Sequence, residues 1–139
     1  MEAIKCSDFS FSYANNSGKA LYNINCSVKE ESFVLLCGET GSGKTTFLRS
    51  LKKEIAPHGA KNGIIKIFDS DYKNINPFDV GYVSQTPENQ LVMENVRQEF
   101  AFGLENMGLE NTVINRRIAE TVSFFGIENL LKKKTHQLS

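Results

Sequence analysis

Gly38-Glu39-Thr40-Gly41-Ser42-Gly43-Lys44-Thr45 is the stretch that decides the reading of this 139-residue chain. It fits the pattern G-x-x-x-x-G-K-[ST] without a mismatch, and that pattern is a phosphate-binding loop. Glycines let successive backbone N–H groups turn inward around phosphate oxygens, where side chains would block the approach. Lys44 adds a point charge at the β and γ phosphates, Thr45 offers a hydroxyl to Mg²⁺, and a helix starting here aims its positive end at the anion. Phe33–Cys37 is an apolar run of strand length directly before Gly38, the pattern of a strand buried on both faces. From Lys44 to Glu54 there is neither Gly nor Pro, and Phe47, Leu48, Leu51 and Ile55 fall at helical spacing. Strand, glycine loop and helix thus follow in the order a nucleoside triphosphate site requires. A dinucleotide site is the poorer fit, because Gly41-x-Gly43 is followed by Thr46 where G-x-G-x-x-G needs a third glycine.

The composition sets wider bounds. Sixteen basic residues balance sixteen acidic ones, and a formal charge of zero argues against nucleic acid as the main partner, since phosphate-backbone binding leaves a basic excess. The length is that of one domain or part of one, with enough apolar content for a core. No apolar stretch approaches the roughly 20 residues that span a bilayer, and Met1–Lys5 lacks the apolar segment of a signal peptide. Cys6, Cys26 and Cys37 share no metal-site spacing and read as buried, reduced thiols. The sequons at Asn15 and Asn25 carry no meaning in a cytosolic chain.

Along the chain, Ile4–Tyr13 and Leu21–Val28 read as strands around a turn at Asn15-Asn16-Ser17-Gly18. Pro57-His58-Gly59 breaks the chain. Gly63–Phe68 reads as a strand ended by Asp69-Ser70-Asp71, and Val80–Ser84 as a short buried strand. From Glu94 the period becomes helical: Val96, Phe100, Leu104 and Met107, then Ile114, Ile118, Val122 and Phe125, form two apolar stripes with stops at Gly108 and Gly126. Two amphipathic helices packed on each other, or on a shared partner, account for them. Lys132-Lys133-Lys134 reads as a solvated helix end.

With these parts placed, the chain resembles the nucleotide-binding ATPase domain of ABC transporters over its whole length. The phosphate loop, extended by Thr46, sits where that family has it. Phe11-Ser12-Tyr13, before Ala20-Leu21-Tyr22-Asn23-Ile24, is similar to the family's aromatic loop, which implies that Tyr13 stacks on adenine. Val80–Gln85 is similar to the strand leading to the family's glutamine loop, which implies that Gln85 reaches the Mg²⁺ and the attacking water. Gln85–Leu91 with Val96–Asn106 resembles the energy-coupling-factor and cobalt-type branch, which imports vitamins and transition-metal ions. One departure is Glu30-Glu31-Ser32, where the family turns with a glycine.

The resemblance implies an α/β fold of the P-loop NTPase, ABC ATPase type: N-terminal antiparallel β strands, a helical subdomain, and a core whose C-terminal half is missing. Residues 1–90 would be the ATP-binding core and 91–139 the helical subdomain. ATP and Mg²⁺ would be the cofactors, held by Tyr13 and by Gly38, Glu39, Thr40, Gly41, Ser42, Gly43, Lys44, Thr45 and Thr46. Lys44 and Gln85 would serve the chemistry, with Thr45 and Gln85 on the metal. A second ATPase subunit, identical or paired, and a transmembrane coupling subunit seated on an apolar groove would be the partners, placing the protein on the inner face of the cell membrane.

Thr135-His136-Gln137-Leu138-Ser139 is similar to the approach to the signature motif L-S-G-G-Q and ends after its first two residues. The rest of that motif, the metal-binding aspartate, the catalytic glutamate and the switch histidine of the family have no counterpart here. The 139 residues alone are therefore expected to bind Mg-nucleotide weakly and not to turn it over. They are also expected to be prone to aggregation through unpaired strand edges. The alternative reading is a catalytically silent nucleotide-binding or association module. A P-loop kinase or GTPase fits less well, since no guanine-reading Asn-Lys-x-Asp is present.

Overall fold

The computed structural model describes residues 1–14 and 18–138. The turn expected at residues 15–17 and the final Ser139 of the signature approach lie outside them. The chain divides into two compact units, Met1–Tyr82 and Val83–Ser139.

The first unit is built on an antiparallel four-stranded sheet in the order β2-β1-β3-β4. Its strands are β1 (Glu2–Tyr13), β2 (Leu21–Lys29), β3 (Gly59–Ile67) and β4 (Ser70–Asp71). Alternation along β1 and β3 sends Phe9, Phe11, Ile65 and Ile67 to one face, where they close over Cys6, Leu21 and Tyr72. Helix α1 (Lys44–Ser50) lays Phe47 against that cluster, with Leu51 beyond its end. β3 begins at Gly59, earlier than expected, because β1 extends to Tyr13 and pairs it with Gly59. Phe68 and Asp69, both at positive φ, form the two-residue turn into β4.

Three expectations need correction here. Phe33–Cys37 forms no strand: Phe33 is 94% and Leu35 76% exposed. An apolar run becomes a buried strand only when neighbours on both edges supply a ladder, and no described strand pairs with this one. Val80–Ser84 lacks a ladder for the same reason. Val80 packs on the sheet's core and accepts a hydrogen bond from Lys52 Nζ at 2.7 Å, while Val83 is exposed. Helix α1 ends at Ser50, short of Glu54. The buried Ser50 hydroxyl bonds back to the Thr46 carbonyl at 2.7 Å, Arg49 donates to the Ile55 carbonyl, and the chain tightens into a single 3₁₀ turn over Lys53–Ile55.

The thiols differ among themselves. Cys6 is buried and faces Cys26 across the β1–β2 ladder, whereas Cys37 is exposed. Burial, reinforced by Cys26, pushes the Cys6 thiol up to about 12 from the ordinary 9.0. The unfolded chain would release this proton near the ordinary value and the folded chain would not, so stability falls as pH rises across that window. At pH near 8, iodoacetamide followed by mass spectrometry should label Cys37 first and Cys6 only on unfolding. Equal labelling rates in the native protein would contradict this.

In the second unit, α2 (Val96–Asn106) packs on α3 (Asn111–Phe125) through Ala101, Ile114, Ile118 and Val122. Phe100 and Leu104 flank that core. Asn95 caps α2, its side chain accepting from the Gln98 N–H at 3.0 Å. Both expected glycine stops are Schellman turns: Leu109 N–H reaches the Leu104 carbonyl, and Ile127 N–H reaches the Val122 carbonyl. The second turn folds Ile127 inward and leaves Phe125 exposed, so the last member of that stripe faces solvent.

The lysine run is not a helix end. Lys134 bridges to Asn95, and its ammonium meets Glu94 at 2.6 Å, holding that carboxyl below the usual range. Thr135 N–H adds a bond to the Glu94 carbonyl. No helix among the described residues is long and apolar enough to cross a membrane.

Candidate functional site

The phosphate-loop residues, Tyr13 and Thr46 all belong to the first unit. After the exposed segment up to Cys37, the chain turns at Gly38–Gly43 and enters α1 at Lys44. Gly43 has φ 91°, and a Cβ there would lie 2.8 Å from both the Ala20 carbonyl oxygen and Leu21 Cδ2. Only glycine lets the loop press this closely on the start of β2. At Gly38 an added Cβ would fall 2.8 Å from Ser42 Oγ, so the concave side of the loop is a cradle that a side chain would fill.

Lys44 is folded over this loop. Its ammonium donates to the carbonyls of Gly38 at 2.7 Å and Glu39 at 2.8 Å, with Ser42 Oγ at 3.4 Å. The positive charge is thus fixed at the loop instead of trailing into solvent. No side chain caps the start of α1, which leaves the first-turn N–H groups directed at the same place. Thr45 is exposed on that turn, and among the described residues its hydroxyl makes no hydrogen bond. Glycine cradle, fixed ammonium, open N–H groups and free hydroxyl together suit a phosphate chain with its cation.

Tyr13 closes one side. Its ring packs edge-on against Phe11, centroids 4.8 Å apart at 86°, and its hydroxyl lies 2.9 Å from Thr46 Oγ1. With 40% of its surface exposed, the ring is anchored yet reachable, one side chain away from the phosphate loop. Neither the Tyr13–Thr46 bond nor the seat of Gly43 on Ala20 was visible in the sequence. Both join residues far apart in the chain that carry no shared pattern.

Gln85 belongs to the second unit. It is exposed and makes no hydrogen bond among the described residues. Its neighbours are pinned: Ser84 N–H donates to Gln90 Oε1 at 2.8 Å, and the Ser84 hydroxyl donates to the Thr86 carbonyl at 2.9 Å. The backbone that presents this amide is therefore held from both sides.

A glycine loop with its lysine folded inward, followed by a helix and flanked by an anchored tyrosine, defines a P-loop nucleotide-binding class. The chain belongs to the ABC transporter family, whose sequence profile matches residues 21–139. It is 45% identical over 136 residues to a Bacillus cereus protein named as an ABC transporter ATP-binding protein, covering 95% of this chain and 25% of that one. It is 34% identical over 143 residues to the energy-coupling factor transporter ATP-binding protein EcfA1 of Clostridioides difficile, covering 98% of this chain and 50% of that one. The structure is similar to that of CbiO1 from Clostridium perfringens, described as part of the ABC transporter complex CbiONQ. There the TM-score is 0.81 at 29% identity, over 99% of this chain and 56% of that one. The chain thus spans between a quarter and about half of the length of these relatives.

Proposed function

We propose that the protein to which these residues belong is the ATP-binding subunit of an ABC-type importer of the energy-coupling-factor and cobalt-type branch. It would couple ATP binding and hydrolysis to uptake of a vitamin or a transition-metal ion. The observation that carries the reading is the loop Gly38–Thr45, with Lys44 fixed by the Gly38 and Glu39 carbonyls and Tyr13 tied to Thr46. Similarity to EcfA1 and CbiO1 supports the branch.

In this reading Gly38–Thr46 bind the phosphates, Lys44 neutralises charge at the β and γ groups, and Tyr13 stacks on the adenine. Thr45 and Gln85 hold the Mg²⁺, which supplies charge neutralisation at the phosphates when bound. Residues 1–90 serve as the ATP-binding core and 91–139 as the helical subdomain. A second ATPase subunit and a transmembrane coupling subunit are the partners, and they hold the protein at the inner face of the cell membrane.

Calorimetric titration of the full-length protein with Mg-ATP tests this. Base–aromatic stacking is worth about 1–3 kcal/mol, so Tyr13→Ala should weaken binding about tenfold. Tyr13→Phe keeps the ring, loses only the Thr46 bond, and should stay near wild type. Unchanged affinity in Tyr13→Ala would remove the adenine role. A wild-type protein that binds no nucleotide would overturn the whole reading.

A further inference from the structure

We propose that the first unit carries a second anion site, which shares no residue with the phosphate loop and takes a small phosphate-bearing ligand. The site is an open cleft of about 520 Å³ lined by Lys53, Pro57, His58, Lys61, Tyr72 and Lys73. Its floor is firm: Pro57 and Tyr72 are buried and Lys61 is half-buried. Lys53, His58 and Lys73 are exposed and form the rim.

The cationic groups are positioned by contacts. Lys61 Nζ lies 3.3 Å from the Tyr72 hydroxyl and 5.7 Å from its ring centroid. Lys73 Nζ stands 6.0 Å from the same centroid. Lys53 Nζ donates to the Lys73 carbonyl at 3.1 Å. One buried aromatic ring therefore gathers two ammonium groups, and a backbone carbonyl holds a third.

None of the three ammonium groups has a carboxylate within 4.0 Å among the described residues. The acids adjacent in sequence are engaged elsewhere. Glu54 pairs with Lys52 at 3.6 Å, and Asp71 accepts from the Lys73 backbone N–H at 2.9 Å; neither lines the cleft. In a chain whose formal charge is zero, three cations lining one cleft without a carboxylate partner is a local departure that a multiply charged anion satisfies. A monocarboxylate would bring a single negative charge against them. A phosphate offers several acceptor oxygens and up to two charges to lysines spread around a rim, and the volume is that of a small-molecule site.

The test uses the full-length protein carrying Lys44→Ala, so that the phosphate loop is weakened, and follows the His58 ring protons by NMR during titration with inorganic pyrophosphate. Saturable shifts at His58 are expected. Lys61→Gln and Lys73→Gln should each weaken the response about tenfold, the scale of one lost charge-assisted hydrogen bond. Lys66→Ala removes the same charge from the exposed face of β3 and should leave the response unchanged. Lys73 is exposed, so its variant remains informative should Lys61→Gln disturb the floor. A second arm measures flotation with phosphatidylcholine vesicles with and without phosphatidic acid. Lys73-dependent binding there, without a pyrophosphate response, would identify a lipid headgroup as the source of the phosphate. No response in either arm, or a response equally reduced by Lys66→Ala, overturns the site.

Discussion

Lys44→Ala in the full-length protein should weaken Mg-ATP binding by roughly a hundredfold or more while leaving the unfolding midpoint without nucleotide nearly unchanged. Each charge-assisted hydrogen bond contributes roughly 1.5–3 kcal/mol, and an ammonium serving both the β and γ phosphates loses about two of them. The structure adds a second cost. Lys44 Nζ also ties together the Gly38 and Glu39 carbonyls, so its removal frees the loop that must curl around the anion. Folding should be little affected, because these bonds lie at the exposed surface. Lys44→Arg should not restore binding, since a planar guanidinium is too large for a position set by contacts of 2.7 and 2.8 Å. Calorimetric titration beside a Lys66→Ala control reads the result, and equal affinity in wild type and Lys44→Ala would sink the phosphate-site assignment.

The loop was legible because its chemistry is local: eight consecutive residues carry the glycines, the lysine and the hydroxyl together. The strands β1, β2 and β3 and the helices α2 and α3 were legible for a related reason. Alternation at Phe9 and Phe11, and the stripe of Ile114, Ile118 and Val122, each name a buried face within one element, whereas Tyr13, the next in the alternation, stays exposed at the strand end. Phe33–Cys37 shows where such reading stops. An apolar run records a demand for burial but not the strand that will answer it, and a ladder is a property of pairs. Val80–Ser84 failed in the same way. At Lys132-Lys133-Lys134 the charges were plain but the tether was not, since Glu94 lies 40 positions from Lys134. Tyr13 was placed in the site by resemblance alone, and the structure supplies what resemblance could not, a hydrogen bond to Thr46 across 33 positions.

Phe11 links this core to the site, and its loss should be the costliest single change in the first unit. The ring is 1% exposed, the largest of the fully buried side chains among the described residues. It supports Tyr13 edge-on, and β3 comes so close that a Cβ on Gly59 would lie 2.8 Å from Phe11 Cζ. Truncating a buried Phe to Ala costs roughly 3–5 kcal/mol, from lost transfer energy and the cavity left behind. Against a total stability of about 5–15 kcal/mol, that is enough to unfold a marginal unit. Urea denaturation followed by far-UV circular dichroism should show the midpoint of Phe11→Ala falling sharply, with Phe11→Leu between it and wild type because most of the apolar volume remains. The chain has no tryptophan, so the signal must come from the backbone. Phe11→Leu carries the further consequence: it should fold, yet bind Mg-ATP several-fold more weakly, because Tyr13 loses the edge that orients it. Lys44→Ala should show the reverse, near-normal stability with binding lost. If Phe11→Ala unfolds at the wild-type urea concentration, the ring does not hold this core. If Phe11→Leu binds nucleotide as wild type does, Tyr13 needs no support from beneath, and the coupling of core to site fails there.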